Sequence, residues 1–318
     1  MDLRTAEPLD ERALVVAAQA GDEGAFRALV EPYVRVLEVH CYRMLGSVHD
    51  AEDVAQETLL RAWRALDRFE RRASVHTWLY RIATNACLDE IERRPRRPEP
   101  VVDPYPDDRL HEAAGPVADP AARYALREGM ELALLTAIQR LPGRQRAVLL
   151  LRDVLGWTAA ETAGLLDSTV AAVNSALQRA RATIEDEVPA RSVAPGRATE
   201  RELLRRYVDA WERADMDGLV ALLREDAQLS MPPQATIAGA APVGAFFARR
   251  WSVQHLTARA TWVNGGPAVA LTERAADGTE KPHRLLVLDV DGDAERIHTV
   301  HAYHGEAITA TFGALGLG

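Results

Sequence analysis

The chain has 318 residues, which calls for two or three domains rather than one. Its hydrophobic fraction of 47% is ordinary for globular protein, and no stretch approaches the ~20 consecutive apolar residues of a membrane span. A formal net charge of −9 excludes a protein that holds DNA by bulk charge alone, since such affinity comes from Lys and Arg neutralising phosphates. It leaves open a subunit that meets DNA inside a larger assembly. The start, M-D-L-R-T-A-E-P, shows no basic segment followed by an apolar core, so no signal peptide is expected and the location expected is cytoplasmic. Cys41 and Cys87 lack C-x-x-C spacing and read as small buried hydrophobes rather than as a disulfide or a zinc site.

The first helix is expected from Glu11 to Gln19, stopping at Gly21-Asp22. A second is expected to run on to Leu45, with Phe26, Leu29, Val30, Val34, Leu37 and Cys41 on one face. Gly46-Ser47 breaks it. The stretch from Asp50 to Leu66 then reads D-A-E-D-V-A-Q-E-T-L-L-R-A-W-R-A-L. At about 100° per residue, Ala51, Val54, Ala55, Thr58, Leu59, Ala62, Trp63 and Leu66 form an apolar side. Asp53, Gln56, Glu57, Leu60 and Arg64 form a narrow opposite stripe, and Leu60 in its middle favours a partner over plain solvent. Asp50 is the expected N-cap, and Glu52 and Asp53 suit the positive end of the helix dipole.

A short polar loop, Phe69 to Ala73, leads to a helix from Ser74 to Arg94, capped by Ser74. Val75, Trp78, Leu79, Ile82, Ala83 and Ala86 form its apolar side, with Trp78 read as core. Thr77, Tyr80, Arg81, Thr84 and Leu88 form the other, with Asn85 at its edge. Loop and helix carry the chemistry for unpaired DNA: arginines for phosphate, an aromatic for stacking, and Asn for a bidentate base contact.

These two helices and their loop resemble region 2 of the extracytoplasmic-function (ECF) type of bacterial RNA polymerase sigma factor. The marks are D-A-E-D-V-A-Q-E-T, R-A-W, Phe69, T-W-L-Y-R-I-A at 77–83, Asn85 and the closing arginine pair. The resemblance implies that Asp50, Glu52, Asp53, Gln56, Glu57, Leu60 and Arg64 dock on the core polymerase of β and β′ subunits, at a clamp coiled coil. It also implies that Arg71, Arg72, Ser74, His76, Thr77, Tyr80, Arg81, Thr84 and Asn85 read the −10 element and capture an extruded base. Residues 11–95 form the corresponding helical domain.

Residues 96–120 are proline-dense and read as an extended linker. The P-Y-P-D at 104–107 resembles a linker motif of ECF factors that carry a fused C-terminal domain. Helices are expected to resume near Ala121. One runs from Glu128 to Arg140, and the next follows Pro142-Gly143. A short helix after Gly156-Trp157-Thr158, a turn at Asp167-Ser168 and a long helix from Thr169 fit helix-turn-helix. Val170, Val173, Leu177, Ala180 and Ile184 give the long helix its apolar face. Residues 121–188 resemble sigma region 4 through L-P-x-x-Q-R-x-V-L-L-L-R and the A-L-Q-R-A-R ending. This implies −35 contacts from Ser168, Thr169, Ala171, Asn174, Ser175, Gln178, Arg179 and Arg181. Glu161-Thr162-Ala163 and the turn depart from the family's usual pattern, so no −35 sequence preference is implied.

A second linker, 189–198, precedes a change of texture. Residues 199–318 read as helices followed by antiparallel strands, with hairpin turns at Ala276-Asp277-Gly278 and Asp291-Gly292. This α+β cone resembles the SnoaL-like, NTF2-like superfamily. Its marks run from Leu203 through the D-M-D-G of 215–218 to Leu223, with Asp226, M-P-P at 231–233 and N-G-G-P-A at 264–268. Asp226, His255, His283, His298, His301 and His304 are the chemical candidates. His298 and His301, three apart on a strand, face opposite sides and make a poor shared site. No metal-ligand spacing or cofactor motif is present.

The expected protein is a promoter-recognition subunit, not an enzyme. Its partners are core polymerase and promoter DNA, and its C-terminal domain acts in cis as a regulatory or small-molecule ligand pocket. Two alternatives remain at this stage. One is a core-independent helix-turn-helix regulator with a ligand-sensing domain, and the other is a bifunctional chain with an active SnoaL-type enzyme.

Overall fold

The computed structural model describes residues 11–71, 73–94, 102–107, 132–187, 197–231, 234–251, 256–274, 278–290, 295–305, 308 and 312–313. These form two compact units. The first is helical. It holds α1 (Glu11–Gln19), α2 (Glu23–Val30), α3 (Val34–Leu45), α4 (Val48–Ala65) and α5 (Val75–Arg93). It also holds α7 (Gly143–Leu149), a π-helical turn (Leu150–Val154), α8 (Ala159–Leu165) and α9 (Val170–Glu187) as far as Ala180. Helix α6 (Leu132–Arg140) groups with the second unit.

The expected second helix is broken in two. Glu31-Pro32-Tyr33 forms a 3₁₀ turn between α2 and α3, because Pro32 has no N–H to continue an α-helical ladder. Helix α4 begins two residues earlier than its expected cap. Ser47 is the N-cap and accepts from the Asp50 N–H, whereas Asp50 sits inside the first turn and pairs with Arg94 of the α5 terminus. Of the expected apolar side of α4, Ala51, Val54, Ala55, Thr58, Ala62 and Leu66 are buried, while Leu59 and Trp63 are half-buried.

Helix α5 starts at its expected cap, with Ser74 Oγ accepting from the Thr77 N–H at 3.1 Å. Its burial goes further than its sequence pattern. Val75, Leu79, Ala83 and Ala86 are buried as expected, but so are Tyr80 and Thr84 from the side read as polar. Thr84 Oγ1 lies 2.9 Å from His40 Nε2 of α3. That hydrogen bond satisfies two polar groups that have no access to water.

The second unit carries α10 (Arg197–Glu212), α11 (Met216–Ala221), α12 (Ala240–Trp251) and a six-stranded sheet. The strands are β1 (Leu223–Ser230), β2 (Ile237–Ala238), β3 (Leu256–Val263), β4 (Gly266–Arg274), β5 (Glu280–Val290) and β6 (Ile297–Tyr303). Their order is β2-β1-β6-β5-β4-β3. The four strands expected from the sequence, β3 to β6, pair antiparallel as expected; β1, which pairs in parallel with β6, and β2, antiparallel to β1, extend the sheet. Leu203, Tyr207 and Trp211 of α10 and Phe247 of α12 pack on one sheet face against Leu229, Val269, Leu271, Leu286, Leu288 and Val300. The expected turns at 276–278 and 291–292 fall almost wholly outside the described residues. The hairpin the structure does describe is Asn264-Gly265, between β3 and β4. Both residues have positive φ, 52° and 77°, which is the type I′ geometry that Asn-Gly favours.

Burial lowers the pKa of His40 from 6.5 to about 3, with the Arg43 and His76 charges adding to the effect. His40 is therefore neutral in the folded chain, while in the unfolded chain it takes up a proton below its ordinary pKa. The stability this residue contributes is present above pH 6.5 and is lost as pH falls towards 3, at up to about 1.4 kcal/mol per pH unit. Denaturant titrations at pH 7 and pH 5 should show the loss, and His40→Gln should flatten the slope between them.

Candidate core-binding and nucleic-acid interface

The stripe on α4 faces outward. Asp53, Gln56 and Arg64 are exposed, and Leu60 keeps 52% of its surface, unusual for a leucine on a polar face. Glu57 is tied to Arg61 at 2.9 Å, and Arg61 reaches on to Asp89 of α5 at 2.9 Å. Beside the stripe runs a groove of about 230 Å³ between α3 and α4. Glu52, Gln56 and Leu59 form one wall; Arg35 and Glu38, joined at 2.8 Å, belong to the other. Sequence reading found only the α4 wall. The α3 residues carry no motif and are placed there by packing alone.

The residues expected to read the −10 element fall into three groups. Arg71 and Ser74 line an open groove at the loop between α4 and α5, with Thr77 beside Ser74. Arg71 takes a left-handed φ of 57° there. Phe69 stacks on Trp78 with centroids 4.7 Å apart, which assigns Trp78 to the support of the loop. Arg72 lies outside the described residues. Asn85 is half-buried on the flank of α5.

His76, Tyr80 and Arg81 form the second group, and the region 4 helices of the same unit cover them. The indole of Trp157 lies 5.8 Å from the Tyr80 ring and 6.0 Å from the His76 ring. Arg81 donates through one nitrogen to both carboxylate oxygens of Asp167, at 2.9 and 3.0 Å. Asp167 can reach it because the helix-turn-helix turn holds this residue at a φ of 46°. At the base of the same contact, Arg146 of α7 donates to the carbonyls of Met44 and Leu141. A Cβ on Gly143 would come within 3.2 Å of Leu88 on α5, so α7 sits close against that helix. Burial lowers the Arg146 pKa to about 10, aided by the neighbouring Arg94 charge, which leaves the guanidinium protonated at neutral pH.

Thr84, the third case, sits inside the domain against His40 and offers no surface. Alternation on a helix wheel could not reveal this, because α5 is covered on a side that a surface helix would leave wet.

The residues expected at the −35 element share one outward aspect. Thr169, Ala171, Asn174, Ser175, Gln178, Arg179 and Arg181 are exposed, and Ser168 is half-buried in the turn. The Thr169 hydroxyl accepts from the Ala172 N–H at 3.1 Å. Val170, expected on the apolar face, is 45% exposed instead, as it falls in the first turn ahead of the packed part of the helix. Helix α8 is closed by a capping box between Thr158 and Glu161, a local use for the Glu161 that begins the family-atypical E-T-A.

In the second unit, the linker residues 102–107 are bound to the Asn264-Gly265 hairpin. Tyr105 is fully buried and Val102 nearly so. The Tyr105 N–H donates to Asn264 Oδ1 at 2.8 Å, and the Asn264 N–H donates back to the Tyr105 carbonyl at 2.9 Å. The Gly265 N–H donates to Asp107 Oδ1 at 2.7 Å, and Pro106 bridges to Val263. P-Y-P-D and N-G are therefore two halves of one contact.

Of the described chemical candidates in the C-terminal domain, Asp226 and His298 are near enough to interact. Asp226 is exposed and held by Arg224 at 2.8 Å, which lowers its pKa. His283 lies 3.7 Å from Glu273, His304 is exposed, and His298 bonds its neighbour Thr299. His255 lies outside the described residues. Among the described residues, no group of three or more His, Cys, Asp or Glu side chains is arranged to hold a metal ion. No described helix is long and apolar enough to cross a membrane.

Comparison with known families matches sigma-70 region 2 at residues 29–97, sigma-70 region 4 at 131–184, and a SnoaL-like domain at 204–307. The class is a transcription initiation factor fused to an α+β domain. The ECF RNA polymerase sigma factor SigG of Mycobacterium tuberculosis is 40% identical over 330 residues, covering 96% of this chain and 86% of that protein. The chain belongs to the ECF RNA polymerase sigma factors. SigW of Bacillus subtilis is 32% identical but covers only 53% of this chain, as expected of a factor compared over 179 residues. The crystal structure of SigJ from Mycobacterium tuberculosis shares the fold, with a TM-score of 0.59 at 20% identity over 94% of this chain and all of that one. This protein directs promoter-specific transcription initiation and has no enzymatic activity of its own. Its family works with RNA polymerase core and promoter DNA.

Burial also lowers the pKa of His76. Trp157→Ala should let water reach that ring and move its titration upward, towards 6.5. A pH series of imidazole NMR shifts would check this. Asp167→Asn removes only the charge of an exposed ion pair and keeps a side chain that tolerates the left-handed φ, so it should change stability by less than about 1 kcal/mol in thermal unfolding.

Proposed function

We propose that the α4 stripe and the adjoining α3–α4 groove dock on the β′ clamp of core polymerase. The α4–α5 loop and Asn85 read the −10 element, and the exposed side of α9 reads the −35 element. The observation that carries the docking assignment is Leu60: it is exposed at the centre of an ordered charged stripe, where burial by a partner would recover its apolar surface. The −10 reading is supported by the open groove at Arg71 and Ser74. In this conformation Tyr80 and Arg81 engage Trp157 and Asp167, so use of that face on DNA requires region 4 to move off it. Tyr80 and Thr84 then act mainly as scaffold.

The C-terminal domain regulates the sigma modules in cis through the bound linker. A linker held at residues 102–107 spans less than a free 25-residue chain, and this limits the separations the two DNA-reading modules can adopt. A small-molecule ligand of the domain would act on promoter choice by strengthening or loosening that hold.

Two experiments test these readings. Gln56→Ala combined with Leu60→Glu should weaken association with core polymerase at least tenfold while the circular dichroism spectrum stays native; unchanged affinity rejects the docking surface. Tyr105→Ala and Asn264→Gly, which removes the amide acceptor while tolerating the positive φ of the turn, should each shift promoter-specific transcription of the full-length chain severalfold in the same direction. The double variant should add little, because both changes break one contact. Equal transcription by all variants at every promoter rejects the cis contact as a regulator.

A further inference from the structure

The groove at the −10 loop has a wall that no sequence motif supplies. Its volume is about 570 Å³, enough to admit a nucleobase, and it is lined by Phe69, Arg71 and Ser74 from the loop and by Glu11, Arg12 and Val15 from α1. Helix α1 precedes the region 2 match, which begins at residue 29. It is nonetheless fixed to the loop. Gln19 Nε2 donates to the carbonyls of Leu66 and Phe69 at 3.0 and 3.1 Å.

Glu11 is held in place from behind. The Tyr33 hydroxyl donates to Glu11 Oε2 at 3.0 Å. Burial and the Glu11 carboxylate push the Tyr33 pKa up to about 12, so the phenol remains a donor across the working pH range. A carboxylate has about four acceptor positions, and one donor leaves capacity for more. Such a group accepts hydrogen bonds and donates none. On an unpaired base, adenine, cytosine and guanine each offer an exocyclic amine to it, whereas the only donor of thymine, N3–H, lies between two carbonyl oxygens that repel a carboxylate. Arg12, next in the chain, lines the same wall and carries a cation of the kind that meets backbone phosphate.

We propose that α1 completes the base-capture groove and that Glu11 is a specificity-determining residue, favouring an amine-bearing base over thymine at one single-stranded position of the −10 element. This rests on the reading of the α4–α5 loop as the −10 reader. Tyr33 is a positioning residue that orients the Glu11 carboxylate.

The test uses the full-length chain with core polymerase and fork-junction promoter DNAs that carry each of the four bases at each unpaired −10 position. Glu11→Gln keeps the side-chain shape but adds a donor that thymine can accept. It should lower the preference for amine-bearing bases over thymine by about fivefold or more at one position and leave the others unchanged. Tyr33→Phe should give a smaller change at that same position. Arg12→Ala should weaken binding about equally for all bases and reduce its salt dependence. Arg71→Ala and Asn85→Ala serve as reference variants. If they alter base preference while Glu11→Gln leaves it unchanged at every position, the inference is overturned and the −10 reading stands. If none of the variants alters base preference, the −10 reading fails and the inference falls with it. A loss with Glu11→Gln that is uniform across bases and positions also overturns it.

Discussion

Helix α5 is covered on all but one stripe, which runs through Thr77, Arg81, Asn85 and Asp89, and the helical unit is arranged around that constraint. It is packed by α3 and α4 along one side, where Leu79, Ala83 and Cys87 are fully or nearly fully buried. On another side Thr84 is closed by His40, and Tyr80 by the rings of His40, His76 and Trp157. A helix enclosed in this way cannot change its tilt without exposing apolar surface or an unpaired hydroxyl, and either costs about 1–3 kcal/mol. What remains adjustable lies at its ends and edges. At its start is the Ser74 cap with the loop before it, at its flank is Asn85, and at its C-terminal end is the Arg94–Asp50 pair that ties it back to α4. These are the places where a rigid scaffold can present side chains to DNA and polymerase.

The covering of Tyr80 and His76 by Trp157 is of a different kind. It is made of one indole, one exposed ion pair and a close helix contact at Gly143. The ion pair is open to solvent on both partners and so weak. Arg146 is the costlier element, a nearly buried cation whose hydrogen bonds go to main-chain carbonyls. Its bond to Met44 crosses from α7 to α3, whereas its bond to Leu141 is local to its own segment.

In the second unit the determining feature is a two-residue turn. Asn264 and Gly265 are required by the type I′ hairpin that sets the β3–β4 register. The same two residues turn an amide oxygen and two N–H groups towards residues 105–107. Fold and linker binding therefore share one constraint.

Much of this was legible in the sequence, and the reason is physical. Where an element has one dry side and one wet side, spacing reveals it. The buried side of α4, the cap at Ser74 and the helix-turn-helix at 159–187 could all be read because local hydrogen bonding and amphipathicity decide them. The two short strings P-Y-P-D and N-G were visible as motifs, but their pairing spans almost 160 residues and leaves no local trace. The same holds for Thr84 against His40, for the α3 wall beside Gln56, and for Glu11 and Arg12 beside Arg71. In each case a residue's role depends on what a distant segment places opposite it. The sequence by itself determined the modules, their order and the faces they present to solvent. Only tertiary packing decided which of those faces are covered, because burial depends on the neighbour supplied by another part of the chain.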